Sequence, residues 1–185
     1  MPSFPFLALL PAAALLAVLA LVGCGDSGFE GEVDVPDGYA TYRGGGVSFV
    51  HPEAWEPTTR ELSEGVTEIR FQAPGATGAN APAVSLTTQD GVGDRFDALL
   101  DSQRELLETA GDATVAQEEV DVPGARKAYR SRIELPGDGS SSTSEAVDVL
   151  AADGRHIALA AGAPDDESDA VDAAAVVDSL RLEGS

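Results

Sequence analysis

The spacing of apolar residues changes several times along the chain. Residues 4 to 22 form an apolar run without a charge. Beyond residue 38 the pattern becomes two-residue alternation, the signature of half-buried strands. Val47 and Phe49 alternate within 46–50 and predict a strand. His51, Pro52, Glu53, Ala54 and Trp55 predict a turn closed by a large aromatic. In 66–73, Thr67, Ile69, Phe71 and Ala73 face away from Glu68, Arg70 and Gln72. Residues 74–82 read as a loop from their Gly, Pro and Asn content, and Val84, Leu86 and Thr88 mark a third strand.

The period then becomes helical. Phe96, Leu99, Leu100, Leu106, Leu107 and Ala110 predict an amphipathic helix over 94–110, with Asp94 as N-cap and Gly111 as its C-terminal stop. Alternation resumes in 114–122. Pro123-Gly124 predicts a turn, Tyr129, Ile133 and Leu135 mark a strand over 126–135, and 136–144 reads as a hairpin loop. Strands over 145–151 and 155–162 are joined at Asp153-Gly154, a strong hairpin dipeptide. The acidic run from Asp165 to Asp169 opens a final Ala- and Val-rich helix to Leu182. The expected fold is α+β: an antiparallel sheet of about six to seven strands with two main helices packed on it.

The N-terminal stretch predicts processing instead of packing. It nears the length of a membrane-spanning helix, but Pro5 and Pro11 interrupt it and no Lys or Arg follows before Arg43, so a stop-transfer flank is missing. Leu21, Val22, Gly23 and Cys24 close it. That order resembles the bacterial lipobox, with a small residue before the cysteine to fit a signal peptidase and a thiol to receive the lipid. Two acyl chains on one cysteine give stable anchoring where one is marginal. The leader MPSFPF departs from the usual pattern in having no Lys or Arg. Residues 1–23 are therefore expected to be a lipoprotein signal peptide, 24–38 a Gly- and acid-rich tether starting at lipidated Cys24, and 39–183 the folded domain. The location implied is the outer face of the cell membrane. Cys24 is the single cysteine, so no internal disulfide can form.

Charge narrows the partners. The formal net charge is -21, and none of it lies in residues 1–23. A field of that sign repels nucleic acid. It is consistent with colloidal solubility or with a basic partner.

Gly46-Val47-Ser48-Phe49 followed by His51-Pro52-Glu53-Ala54-Trp55 resembles the opening of the PsbP-like sandwich fold, with His51 where that pattern often has Tyr. The turn at Pro123-Gly124 with Ala128-Tyr129, and the closing Asp178-Ser179-Leu180-Arg181-Leu182, fit the same family. Actinobacterial surface lipoproteins of the LpqN type are similar. The resemblance spans roughly residues 39 to 183 and rests on structural motifs. It implies an α/β sandwich with accessory or binding roles outside the cytoplasm, and supplies no site residues.

Catalytic patterns are not evident. His51 and His156 are the two histidines, no G-x-S-x-G elbow occurs, and neither zinc spacing nor a D-x-D-x-D-G calcium loop is present. Asp165-Asp166-Glu167-Ser168-Asp169 reads as a solvated helix start and Trp55 as a core residue, and Gly44 to Gly46 lack the following helix and lysine of a phosphate loop. No cofactor or metal is expected. The function expected is a non-enzymatic binding or accessory module at the envelope, held to the membrane by its lipid and engaging an envelope protein. The alternative is a carrier of a small apolar or lipid ligand lined by Phe96, Leu99, Leu106 and Leu107. An unrecognised hydrolase is the weakest reading. Oligomeric state is left open.

Overall fold

The computed structural model describes residues 34–76, 81–110, 112–137 and 141–183. The segment 1–23 expected to be a signal peptide, with Leu21, Val22 and Gly23, lies outside the described residues, as do Cys24 and Gly111. Among these residues ten strands form two antiparallel sheets. The smaller has the order β1-β2-β10, made of Tyr39–Gly44, Val47–Pro52 and Arg181–Leu182. The larger has the order β3-β4-β5-β9-β8-β7-β6. Its strands are β3 (Glu56–Ser63), β4 (Val66–Gln72), β5 (Ala83–Gln89), β6 (Thr114–Glu119), β7 (Ala125–Leu135), β8 (Ser142–Ala151) and β9 (His156–Pro164). The α+β, mainly antiparallel expectation holds.

One face of the large sheet carries the main core. Phe71, Val84, Leu86, Val147, Val149, Ile157 and Leu159 meet Val47, Phe49 and Trp55 from the smaller sheet side, together with Val176, Val177 and Leu180. Trp55 is a core residue, as expected. Tyr42, Phe49 and Phe71 pack edge to face or tilted, with ring centroids 5.1 to 5.7 Å apart, spacings that favour aromatic quadrupoles. On the opposite face, helix α1 (Phe96–Ala110) covers a smaller cluster of Val92, Phe96, Leu100 and Leu150.

The turn signals act where the sequence puts them. Gly124 takes positive φ at the Pro123-Gly124 turn between β6 and β7; Gly45 and Gly46 do so too, between β1 and β2, at a turn that was not expected. The β8–β9 hairpin closes with Ala151 N–H donating to Arg155 O at 2.9 Å and Gly154 N–H to Ala151 O at 3.0 Å.

Four expectations need correction. His51 and Pro52 are the end of β2, not part of a turn, because both continue the register against Ala40 and Tyr39. The strand over 46–50 joins the small sheet, and β3, which the alternation did not mark, completes the seven-stranded one. Asp94 sits inside a 3₁₀ turn (Gly93–Arg95) ahead of α1, and no side chain caps that turn. The long final helix is replaced by a 3₁₀ segment (Asp165–Ala170), a six-residue helix α2 (Ala173–Asp178) and β10. The cause is local and tertiary. Asp and Ser side chains compete for backbone partners and weaken helix between 165 and 169. Val171 turns extended (φ -149°, ψ 131°) and is buried in the core. Asp172 then restarts the helix by accepting from Ala175 N–H at 3.0 Å.

Candidate functional site

The core face of the large sheet is wider than the cover laid on it. The smaller sheet and α2 leave the β6–β7–β8 border open, and there the inward positions turn from apolar to charged. Alternation on β7 puts Arg130 opposite Glu118 and Val147, and Arg132 opposite Ala116 and Glu145. Arg130, Arg132 and Glu145 line a groove of about 350 Å³ whose far wall is Ala116 and Glu118 on β6. Arg132 and Glu145 also border a neighbouring concavity of about 440 Å³ reaching Ser168, Val171 and Ala174.

Glu145 is the fixed point. Its two carboxylate oxygens accept from Arg130 Nε at 2.9 Å and from Arg132 Nη1 at 3.4 Å. Arg130 also donates to Asp178 at the end of α2 at 2.7 Å, and Arg132 to Glu134 at 3.2 Å. Burial opposes the Arg130 charge, but the hydrogen bond to Glu145 and the charges of Asp178, Glu145 and Glu118 outweigh it and raise its pKa. Glu145 and Arg130 keep 14% and 25% of their side chains exposed, so this network is less screened than a surface pair. It ties β7, β8 and α2 together at the floor of an open groove, into which Arg132, 54% exposed, projects. Such an arrangement can bind a polar or charged partner.

The histidines lie elsewhere. His51 is in the main core, its ring 4.3 Å from that of Phe71, with Nδ1 donating to Pro52 O at 2.9 Å. His156 is on the other face, 2% exposed, with Nε2 donating to Asp148 at 2.7 Å and Phe96 over it at 5.6 Å. Its Nδ1 is buried with no hydrogen-bond partner among the described residues. The large sheet separates the two rings, so they cannot act on one substrate.

The carrier lining is not brought together. Phe96 is 2% exposed and fills the space between helix and sheet with Leu100 and Leu150, whereas Leu106 is 66% exposed. Among the described residues there is no group of three or more His, Cys, Asp or Glu placed to hold a metal. No described helix is long and apolar enough to cross a membrane. The groove was missed in the sequence because Arg130 and Arg132 read as the side of their strand facing away from Tyr129, Ile133 and Leu135, and Glu145 as an ordinary strand residue. The signal available was Arg130 and Arg132 spaced by two, on the same face. No family model and no curated protein sequence matches the chain.

Proposed function

We propose that this chain is an extracytoplasmic lipoprotein whose domain is a non-enzymatic binding module for an envelope protein. Cleavage before Cys24 and lipidation of its thiol hold it to the membrane. Residues 24–38 reach from the lipid to a domain of the PsbP-like sandwich kind. The observation that carries the binding reading is the groove floored by Arg130, Glu145 and Arg132, a charged surface with no nucleophile–base pair built into it. The lipobox order Leu21-Val22-Gly23-Cys24 supports the anchor.

Two measurements test this. Metabolic lipid labelling should mark the wild-type chain and be abolished by Cys24→Ala; retained labelling sinks the anchor. A photo-crosslinking residue at Ser168, beside the groove, should capture one defined envelope protein, and Arg132→Ala should diminish that adduct. Capture that ignores Arg132→Ala removes the groove from the function.

A further inference from the structure

Among the described residues, the large sheet ends in two strands with no partner on their outer side, β3 and β6, and they differ in how they are guarded. A free edge exposes unpaired backbone N–H and C=O groups and invites another strand, so edges are blunted with proline, bulges and charge. β3 has all three: Pro57 near its start, a register shift between Glu61 and Ser63, and Arg60 and Glu61 in between. β6 has no proline and pairs with β7 through six unbroken positions, Thr114↔Glu134 to Glu119↔Tyr129. Four of its six residues are exposed, Thr114, Ala116, Glu118 and Glu119. Its only guard is negative charge at the far end.

That charge selects the partner. Glu118 and Glu119 project to opposite faces of β6, and Asp121 follows. The nearest arginines, Arg130 and Arg132, are already engaged by Glu145, Asp178 and Glu134. Arg130, opposite Glu118, feels its charge as well, but two arginines are shared among Glu118, Glu134, Glu145 and Asp178, so the border keeps a net negative field, as does the chain as a whole at -21. An acidic edge repels an acidic strand, a second copy of this chain included, and accepts one carrying cations.

We infer that β6 is a docking edge at which an extended, basic peptide segment of a partner protein adds as an eighth strand of the large sheet. Backbone hydrogen bonds supply affinity, and alternate side chains supply selectivity. On the core-face side they enter the groove beside Ala116 and Glu118. On the other side they meet Glu119. The inference rests on the binding reading above and is independent of the lipid anchor.

The test uses the full chain in a non-ionic detergent and an acetylated peptide of four Lys-Thr repeats as probe. Binding is followed by calorimetry and backbone protection by hydrogen exchange. The Lys-Thr peptide should bind and slow exchange across 114–119. A Glu-Thr peptide should not bind, and full N-methylation of the backbone amides of the Lys-Thr peptide, which keeps its charge but removes its backbone donors, should abolish binding. Glu118→Lys with Glu119→Lys, both exposed, should weaken it roughly tenfold or more. Absence of binding, binding that survives N-methylation, or protection at 56–63 in place of 114–119 overturns the proposal. A cellular partner crosslinked at the groove with no protection of β6 overturns it while leaving the binding module standing.

Discussion

At Gly162 the sheet has no room for a side chain. A Cβ there would lie 2.5 Å from Ser144 Cβ and 2.9 Å from the Thr143 carbonyl oxygen, and backbone cannot step aside as a flexible side chain can. Gly162→Ala should destabilise the domain by about 1 to 3 kcal/mol, the usual range for overpacking, measured by urea denaturation. Ser144→Gly in the same chain should recover part of the loss, because it removes the nearer contact and leaves the carbonyl. His51 gives a pH signature. Burial lowers its pKa, and the hydrogen bond to Pro52 offsets this only in part. The unfolded chain then binds the proton more readily than the folded one. The stability that His51 contributes is complete above its unfolded value, about 6.5, and is lost as pH falls through the lower folded value. Wild type should lose more stability than His51→Gln between neutral pH and about pH 5, where the carboxylates common to both chains cancel in the comparison. Equal losses would show that His51 is not held neutral by the fold. The sequence marked His51 as a departure from a pattern and gave no sign at Gly162, and neither constraint was readable. Each comes from an atom on another strand.

Helix α1 is attached along only part of its length. Phe96 and Leu100 are 2% and 5% exposed, while Leu106, one turn and a half further on, is 66% exposed. Lys127 on β7 anchors the first turn by donating to both oxygens of Asp97 at 2.8 and 2.9 Å, and this interaction raises the Lys127 pKa. Phe96→Ala should cost about 3 kcal/mol or more, as expected for a buried aromatic, whereas Leu106→Ala should fall within about 0.5 kcal/mol of wild type. Equal effects would mean that the helix is docked along its whole length. Hydrogen exchange should likewise show the second half of α1 opening before the first. This helix was legible because its six apolar positions keep one period for four turns. β4, β5 and β7 were legible because they alternate, and β8 and β9 because Asp153-Gly154 marks a hairpin between them. β3 was not, since all eight of its residues are exposed and an edge strand with little to bury leaves no apolar pattern. β10 is two residues long, too short for any period. The predicted last helix failed at Val171, where burying one side chain in the core required extended backbone amid residues whose local pattern still read as helix.

Charge is the property of the whole molecule that the sequence declared from the start, and its consequence is thermodynamic. The chain has 32 acidic and 11 basic residues, so most carboxylates have no cation to pair with. The described ion pairs concentrate the cations: Arg130, Arg132, Lys127 and Arg155 all sit within 3.4 Å of carboxylate oxygens. Salt acts on both populations with opposite sign. It weakens the pairs, and it relieves repulsion among the unpaired carboxylates, which are closer together in the folded state than in the unfolded chain. The unpaired set is the larger. The best pairs, those made by Glu145, are partly buried and screened least. Repulsion therefore dominates, and raising sodium chloride from about 0.02 M to 0.3 M, where the screening length falls from roughly 20 Å to under 10 Å, should raise Tm. Potassium chloride should reproduce the shift, since screening depends on ionic strength and not on which monovalent cation supplies it. A Tm that falls over the same range would show that the ion pairs, not the excess carboxylates, set the balance. The same titration should weaken Lys-Thr peptide binding at β6 while the domain itself becomes more stable, because an attraction between peptide and edge is screened along with the repulsion inside the fold. Opposite salt responses of stability and binding in one sample would place the excess charge at the docking edge, where it acts on a partner.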